Sequence, residues 1–241
     1  MRAESNGSSI PAQAAAAAAR EACLAPLHDL VRLRQEIEES GTTAIESATR
    51  RGFWLAGMFL QFLETQSSLV DGAGFALAPE TFDDGSHGIG WWRRDEGGHV
   101  TNVAYDFNPG SINYYDYASR PWFRTAQTKD RPVLIGPYVD AGGLDTSTVT
   151  LAAPVHGATV HVIGCDISLA ALEAVFVRAI GDVLPPLMLV GSNRRVLASN
   201  TARYSIGALA PRSADPGLRV FRPEDDIDAD WEVRPADRAG R

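Results

Sequence analysis

"TSTVTLAAPVHGATVHVIGCDISLAALEAVFVRAI", residues 146–180, holds two strand-like runs and a helix with almost nothing between them. Residues 146–156 and 159–167 read as strands, and only Gly157 and Ala158 separate them. A link that short makes a hairpin, because a parallel crossover needs a dozen or more residues. At Ser168, a residue suited to a helix N-cap, the pattern changes, and 168–180 reads as an amphipathic helix. The run predicts antiparallel strands with a helix packed on them.

The same texture extends upstream. "FALA" (75–78), "GIGWWRR" (88–94), "HVTNVAYDF" (99–107) and "PVLIGPYVD" (132–140) read as further strands, with turn residues in "DEGG" (95–98) and "AGGLD" (141–145). "RPWFRTAQTK" suits a short helix with Pro121 in its first turn, where the missing N–H costs nothing. Residues 75–180 therefore predict a five- or six-stranded antiparallel sheet with helices on one side, an α+β architecture. Downstream, "PPLMLV" and "RVLASN" (185–200) flank a "GSNRR" turn, and "LRVF" (218–221) and "DWEVRPA" (230–236) complete a smaller set of strands.

The N-terminal part is helical in pattern. Residues 1–10 read as a disordered lead. From Pro11 to Glu39, Leu24, Leu27, Leu30, Val31 and Ile37 share a broad face, and Gly41 ends the helix. "TAIE" (43–46) has capping-box spacing and starts a second helix expected to run to about Leu69. The expected organisation is a lead over 1–10, long helices over 11–70, a main module over 71–181, and a short, degenerate second module with its tail over 182–241.

Composition removes several classes of function. The formal net charge is −8 and there is no basic cluster, which sets phosphate-backbone binding aside. Cys23 and Cys165 are far apart and lack C-x-x-C spacing, so they read as two lone buried thiols. The most apolar window, "GFWLAGMFLQFL" (52–63), is short of the ~20 residues of a membrane span. With no convincing signal peptide either, the expected location is cytoplasmic. The histidines (His28, His87, His99, His156, His161) lack metal-ligand spacing, and there is no G-x-S-x-G, P-loop or dinucleotide fingerprint. No cofactor, metal or catalytic residue is expected. The enzymatic alternative is a hydrolase using Asp140 and Asp166 as an acid/base pair.

"NYYDYASRPWF" (113–123) sets one arginine among five aromatic rings. Arg120 stacked beside Trp122 would leave its fork for a carboxylate, with Tyr115 as a second donor. It can equally pair with Asp116 while the rings form core. Tyr138 and Asp140 alternate onto one strand face. Asp166 ends an apolar strand, where a buried carboxylate requires a partner such as an ammonium group. Of the two Trp91–Trp92 rings, one on each sheet face, one is expected in the core and the other under a helix or at the pocket rim.

In "YDYASRPWF", "PVLIGPYVDAGGLDTSTVTLAAPV" and "VIGCDISLAALEAVF" the chain resembles the Cache superfamily, the PAS-like sensing domains of bacterial receptors, in order and spacing. The N-terminal helices and the small second module resemble its double-Cache type. Tyr115, Arg120, Trp122, Tyr138, Asp140 and Asp166 fall on the motif of its amino-acid-binding branch, and Phe123 stands where an aromatic, often tyrosine, is found. The resemblance implies that Tyr115, Arg120 and Trp122 take a ligand's α-carboxylate, while Tyr138, Asp140 and Asp166 take its α-amino group. It implies a sensor rather than an enzyme, with a small zwitterionic ligand, a separate signalling partner and a homodimer through the N-terminal helices. The chain lacks the flanking membrane helices and the output segment usual in that family, which implies a stand-alone sensor. A third alternative is an interaction module with a decayed pocket, but Arg120 and Asp166 are opposite charges that such a module has no reason to keep.

Overall fold

The computed structural model describes residues 9–40, 52–81, 88–95, 97–139, 147–157, 159–181, 186–213 and 217–236. The "TAIE" segment and Asp140 lie outside the described residues. Helix α1, Ser9–Glu39, is followed by α2, Gly52–Thr65. Strands β1 (Val70–Ala76), β2 (Ile89–Arg94) and β3 (Val100–Asn102) come next, then helix α3, Pro121–Lys129. Strands β4 (Val133–Val139), β5 (Ser147–Val155) and β6 (His161–Ser168) lead directly into helix α4, Leu169–Ile180. Short strands β7 (Leu187–Val190), β8 (Val196–Ser199), β9 (Leu218–Arg219) and β10 (Glu232–Pro235) finish the chain.

The first six strands form one sheet in the order β3-β2-β1-β6-β5-β4, with antiparallel neighbours throughout. The last four form a second sheet, β8-β7-β10-β9, also antiparallel. Strands β5 and β6 pair antiparallel as the sequence predicts, though they end at Val155 and begin at His161 and so leave a longer connection than the two residues expected, and Ser168 caps α4 by accepting from the N–H of Ala171 at 3.4 Å.

Alternation along the strands splits the large sheet into two faces. Val149, Leu151, Ala153, Ile163, Cys165 and Ile167 are buried against α1, α2 and α4. Ala152, Val133 and Val162 are buried on the other side, against Trp122, Phe123 and Ala126 of α3. The expectation of helices on one side is thus corrected. The wide apolar face needs three helices, while α3 and the segment before it cover the second face. Trp91 and Trp92 divide as read: Trp92 stacks on Phe59 at 6.2 Å between ring centres, and Trp91 faces α3.

Two boundaries differ from the sequence reading. Helix α2 ends at Thr65 rather than near Leu69, and strand β1 begins at Val70 rather than at Phe75. Gly74 is there for space: a Cβ on it would lie 2.7 Å from Trp91 Cα and would collide with the Gly90 carbonyl oxygen. Strand β3 stops at Asn102 although alternation continues to Phe107. Tyr105 leaves the sheet to stack on Tyr115, with ring centres 4.4 Å apart.

Helix α1 carries small buried residues, Ala15, Ala19 and Cys23, before the larger Leu27, Leu30 and Ile37. Both cysteines are buried and free, and burial pushes their thiols well above the ordinary range. Helix α4 touches α1, the large sheet and β8, so one apolar core joins the two sheets. Arg20 of α1 adds a polar tie. Its Nε donates to Asp225 Oδ2 at 2.8 Å and its Nη2 donates to Oδ1. No helix among the described residues is long and apolar enough to cross a membrane.

Candidate functional site

The second face of the large sheet carries a polar chain within an aromatic cluster. Asp166 of β6 is 4% exposed. Thr150 Oγ1, its neighbour across the β5–β6 ladder, donates to Asp166 Oδ1 at 2.6 Å. Trp91 Nε1 donates to Asp166 Oδ2 at 2.8 Å. Tyr138 OH is hydrogen-bonded to Thr150 Oγ1. An ionised Asp166 only accepts, so it takes the single hydroxyl proton of Thr150, and Tyr138 must donate to Thr150. Every proton in the chain then points toward Asp166.

Tyr138 reaches this face because β4 contains one extra residue. Ile135 pairs with Thr150, but Thr148 pairs with Tyr138 rather than with Pro137. The bulge shifts the alternation by one, turning Tyr138 to the same side as Thr148 and Thr150. Asp140, the other strand residue expected at the site, lies outside the described residues.

The cationic half sits at the start of α3. Arg120 is the N-cap residue, in extended conformation, and Pro121 fixes the first turn. The Arg120 guanidinium lies 4.8 Å from the centre of the Tyr115 ring. Its stacking partner is therefore Tyr115 and not Trp122, as the sequence reading had it. Nor does Arg120 pair with Asp116, which instead accepts from the Ser119 N–H at 3.2 Å. Among the described residues no ion pair involves Arg120, and its Nε is buried without a hydrogen-bond partner.

Trp122 and Phe123 serve differently. Trp122 packs on Trp91 with ring centres 5.5 Å apart, linking the two halves of the cluster. Phe123 is 1% exposed and packs edge-on against Tyr117 and Trp122, a supporting ring within the core. Tyr117 is anchored through its hydroxyl, which donates to the Leu77 carbonyl at 2.8 Å. The sequence reading missed Thr150 and Tyr105 and left Trp91 undecided. Alternation places Thr150 on the Asp166 side of the hairpin, but nothing local marks a threonine as a ligand holder. Among the described residues there is no group of three or more metal-ligating side chains.

Residues 58–174 match the first PDC sensor domain of methyl-accepting chemotaxis protein-like receptors. Over this segment the chain is similar to sensor domains of the Cache type, and it shares their fold. Three solved structures share the fold of the sensor domain at a TM-score of 0.54 each. One is methyl-accepting chemotaxis protein X, 19% identical, covering 89% of this chain and 94% of that one. The second is the ligand-binding domain of the amino-acid chemoreceptor PctC of Pseudomonas aeruginosa PAO1 in complex with GABA, 18% identical, covering 95% and 96%. The third is the ligand-binding domain of the chemoreceptor CtaA of Pseudomonas fluorescens in complex with L-valine, 16% identical, covering 94% and 95%. Coverage this wide takes in both sheets, so the likeness includes the second, smaller module. No curated protein matches the chain in sequence. The cytoplasmic location expected from the sequence gains no support from this family.

Proposed function

We propose that the sensor domain binds a free L-amino acid, or a close relative with an ammonium and a carboxylate group, between the large sheet and α3. Arg120, Tyr115 and Trp122 receive the carboxylate. Tyr138, Asp166 and Asp140 receive the ammonium, and Phe123 backs the pocket. Binding is relayed to a separate signalling partner, and the chain turns over no substrate. The observation that carries this reading is a carboxyl and a guanidinium on one aromatic cluster: a buried Asp166 that accepts from Thr150 and Trp91, and an Arg120 held over Tyr115 with no ion pair among the described residues. Two groups so arranged complement a zwitterion. The ligands in the PctC and CtaA complexes are of the same chemical kind.

A second copy of the chain is the proposed neighbour of α2, whose outer side leaves Trp54 and Leu60 exposed at 39% and 36%. The organisation proposed for the chain remains long helices over 11–70, the ligand-binding module over 71–181 and the small module beyond. The test is a melting-temperature screen against amino acids, amines and organic acids. A ligand at about 100 times its Kd stabilises the native state by about 2.7 kcal/mol, which is readily seen. A flat response across the panel at millimolar concentration rejects the reading.

A further inference from the structure

We infer that Trp91 is a positioning residue for this site: it fixes Asp166 with its N–H and Trp122 with its ring, and so sets the spacing between the ammonium and carboxylate ends of the ligand. The inference rests on the amino-acid reading above.

Trp91 lies on β2 and is 4% exposed. Its one polar atom is spent on Asp166 Oδ2 at 2.8 Å. Its ring meets Trp122 at 5.5 Å and a tilt of 50°. Trp122 is two residues from Arg120, with Pro121 fixing the backbone between them. The sheet-borne anion and the helix-borne cation are thus joined through one indole.

That indole is seated from below by glycines on two strands. A Cβ on Gly72 would stand 3.1 Å from Trp91 Nε1, 3.1 Å from Asp166 Oδ2 and 3.1 Å from Arg93 Cγ. A Cβ on Gly74 would stand 2.7 Å from Trp91 Cε3, and one on Gly164 would stand 3.1 Å from Trp91 Cη2. Of the three, Gly72 is the position where an added methyl group meets both the Trp91 N–H and the Asp166 carboxylate and presses on their hydrogen bond. With Thr150 on the other oxygen, Asp166 is held at both ends.

The test begins by melting the wild-type protein with each of the twenty L-amino acids. The one giving the largest shift is carried into calorimetric titration, with its des-amino carboxylate measured by competition. Trp91→Phe keeps an aromatic ring and removes the N–H. It is expected to weaken the amino acid about tenfold or more and the des-amino analogue less than about twofold. Gly72→Ala presses a methyl group between Trp91 and Asp166 while leaving every polar group in place, and the same selective loss is expected. If Trp91→Phe does not fold, Gly72→Ala carries the test alone. Equal weakening of both ligands, or no weakening of either, overturns the inference. Should Asp166→Asn be selective against the amino acid while Trp91→Phe and Gly72→Ala are not, the inference falls and the amino-acid reading stands. If no amino acid shifts the wild-type melt, both fall together.

Discussion

His156 Nε2 lies 2.6 Å from Asp130 Oδ1, and the other ring nitrogen lies 3.2 Å from Glu38 Oε1. The half-exposed imidazole therefore ties the left-handed C-cap residue of α3 to the last turn of α1. The Asp130 hydrogen bond, with Glu38 adding to it, raises the His156 pKa above its ordinary value. A raised folded-state value means that the charged clasp contributes fully below the unfolded imidazole pKa of about 6.5. The contribution is lost as pH rises through the folded value. The melting-temperature difference between wild type and His156→Gln should be largest near pH 6 and shrink toward pH 9. Solvent exposure keeps it small. A difference independent of pH would refute the clasp.

Arg20 and Asp225 give the opposite pH dependence. Hydrogen bonding from Arg20 lowers the Asp225 carboxyl below its usual range, so the stability it contributes is present above the unfolded carboxylate value and lost as pH falls through the folded one. The Asp225 side chain is 2% exposed, and Arg20→Ala strips its main partner. A loss of about 1–3 kcal/mol is expected at neutral pH, shrinking under acid. Urea melts at pH 7 and pH 3 provide the check, and equal losses at both would contradict the assignment.

Arg120→Ala should lower affinity for the bound amino acid by one to two decades, since a charge-assisted bond is worth roughly 1.5–3 kcal/mol. Arg120→Lys should recover only part, because a point charge lacks the planar fork. Titration calorimetry measures both. Full recovery by lysine would mean that the site asks only for positive charge.

Two glycines should respond with opposite signs to the same change. Gly74→Ala drives a methyl group into the backbone of β2 and should destabilise by about 1–3 kcal/mol. Gly57 lies inside α2, and a Cβ there meets nothing within 4 Å, so Gly57→Ala should stabilise by up to about 1 kcal/mol through helix propensity. Chemical denaturation of both variants decides, and stabilisation by Gly74→Ala would show that the local packing of β1 is misjudged.

The pairing of β5 with β6 and helix α4 were legible because a short link and an N-cap serine leave few alternatives. The cation at Arg120 and the anion at Asp166 were legible as residue types out of place. Their surroundings were not. Glycine is a turn signal in one dimension, and only the indole above Gly72 and Gly74 reveals a strand that needs room. The stacking of Arg120 on Tyr115 rather than Trp122 depends on how the chain enters α3, which pattern does not encode. The bulge before Tyr138 is likewise invisible, because an extra residue in a strand looks like any other residue.

Only Ile167 and Ser168 stand between Asp166 and the first turn of α4. No loop separates the carboxylate from that helix of 12 residues, whose sides bear on α1 and on β8. The candidate site and the second sheet are therefore joined through one continuous element.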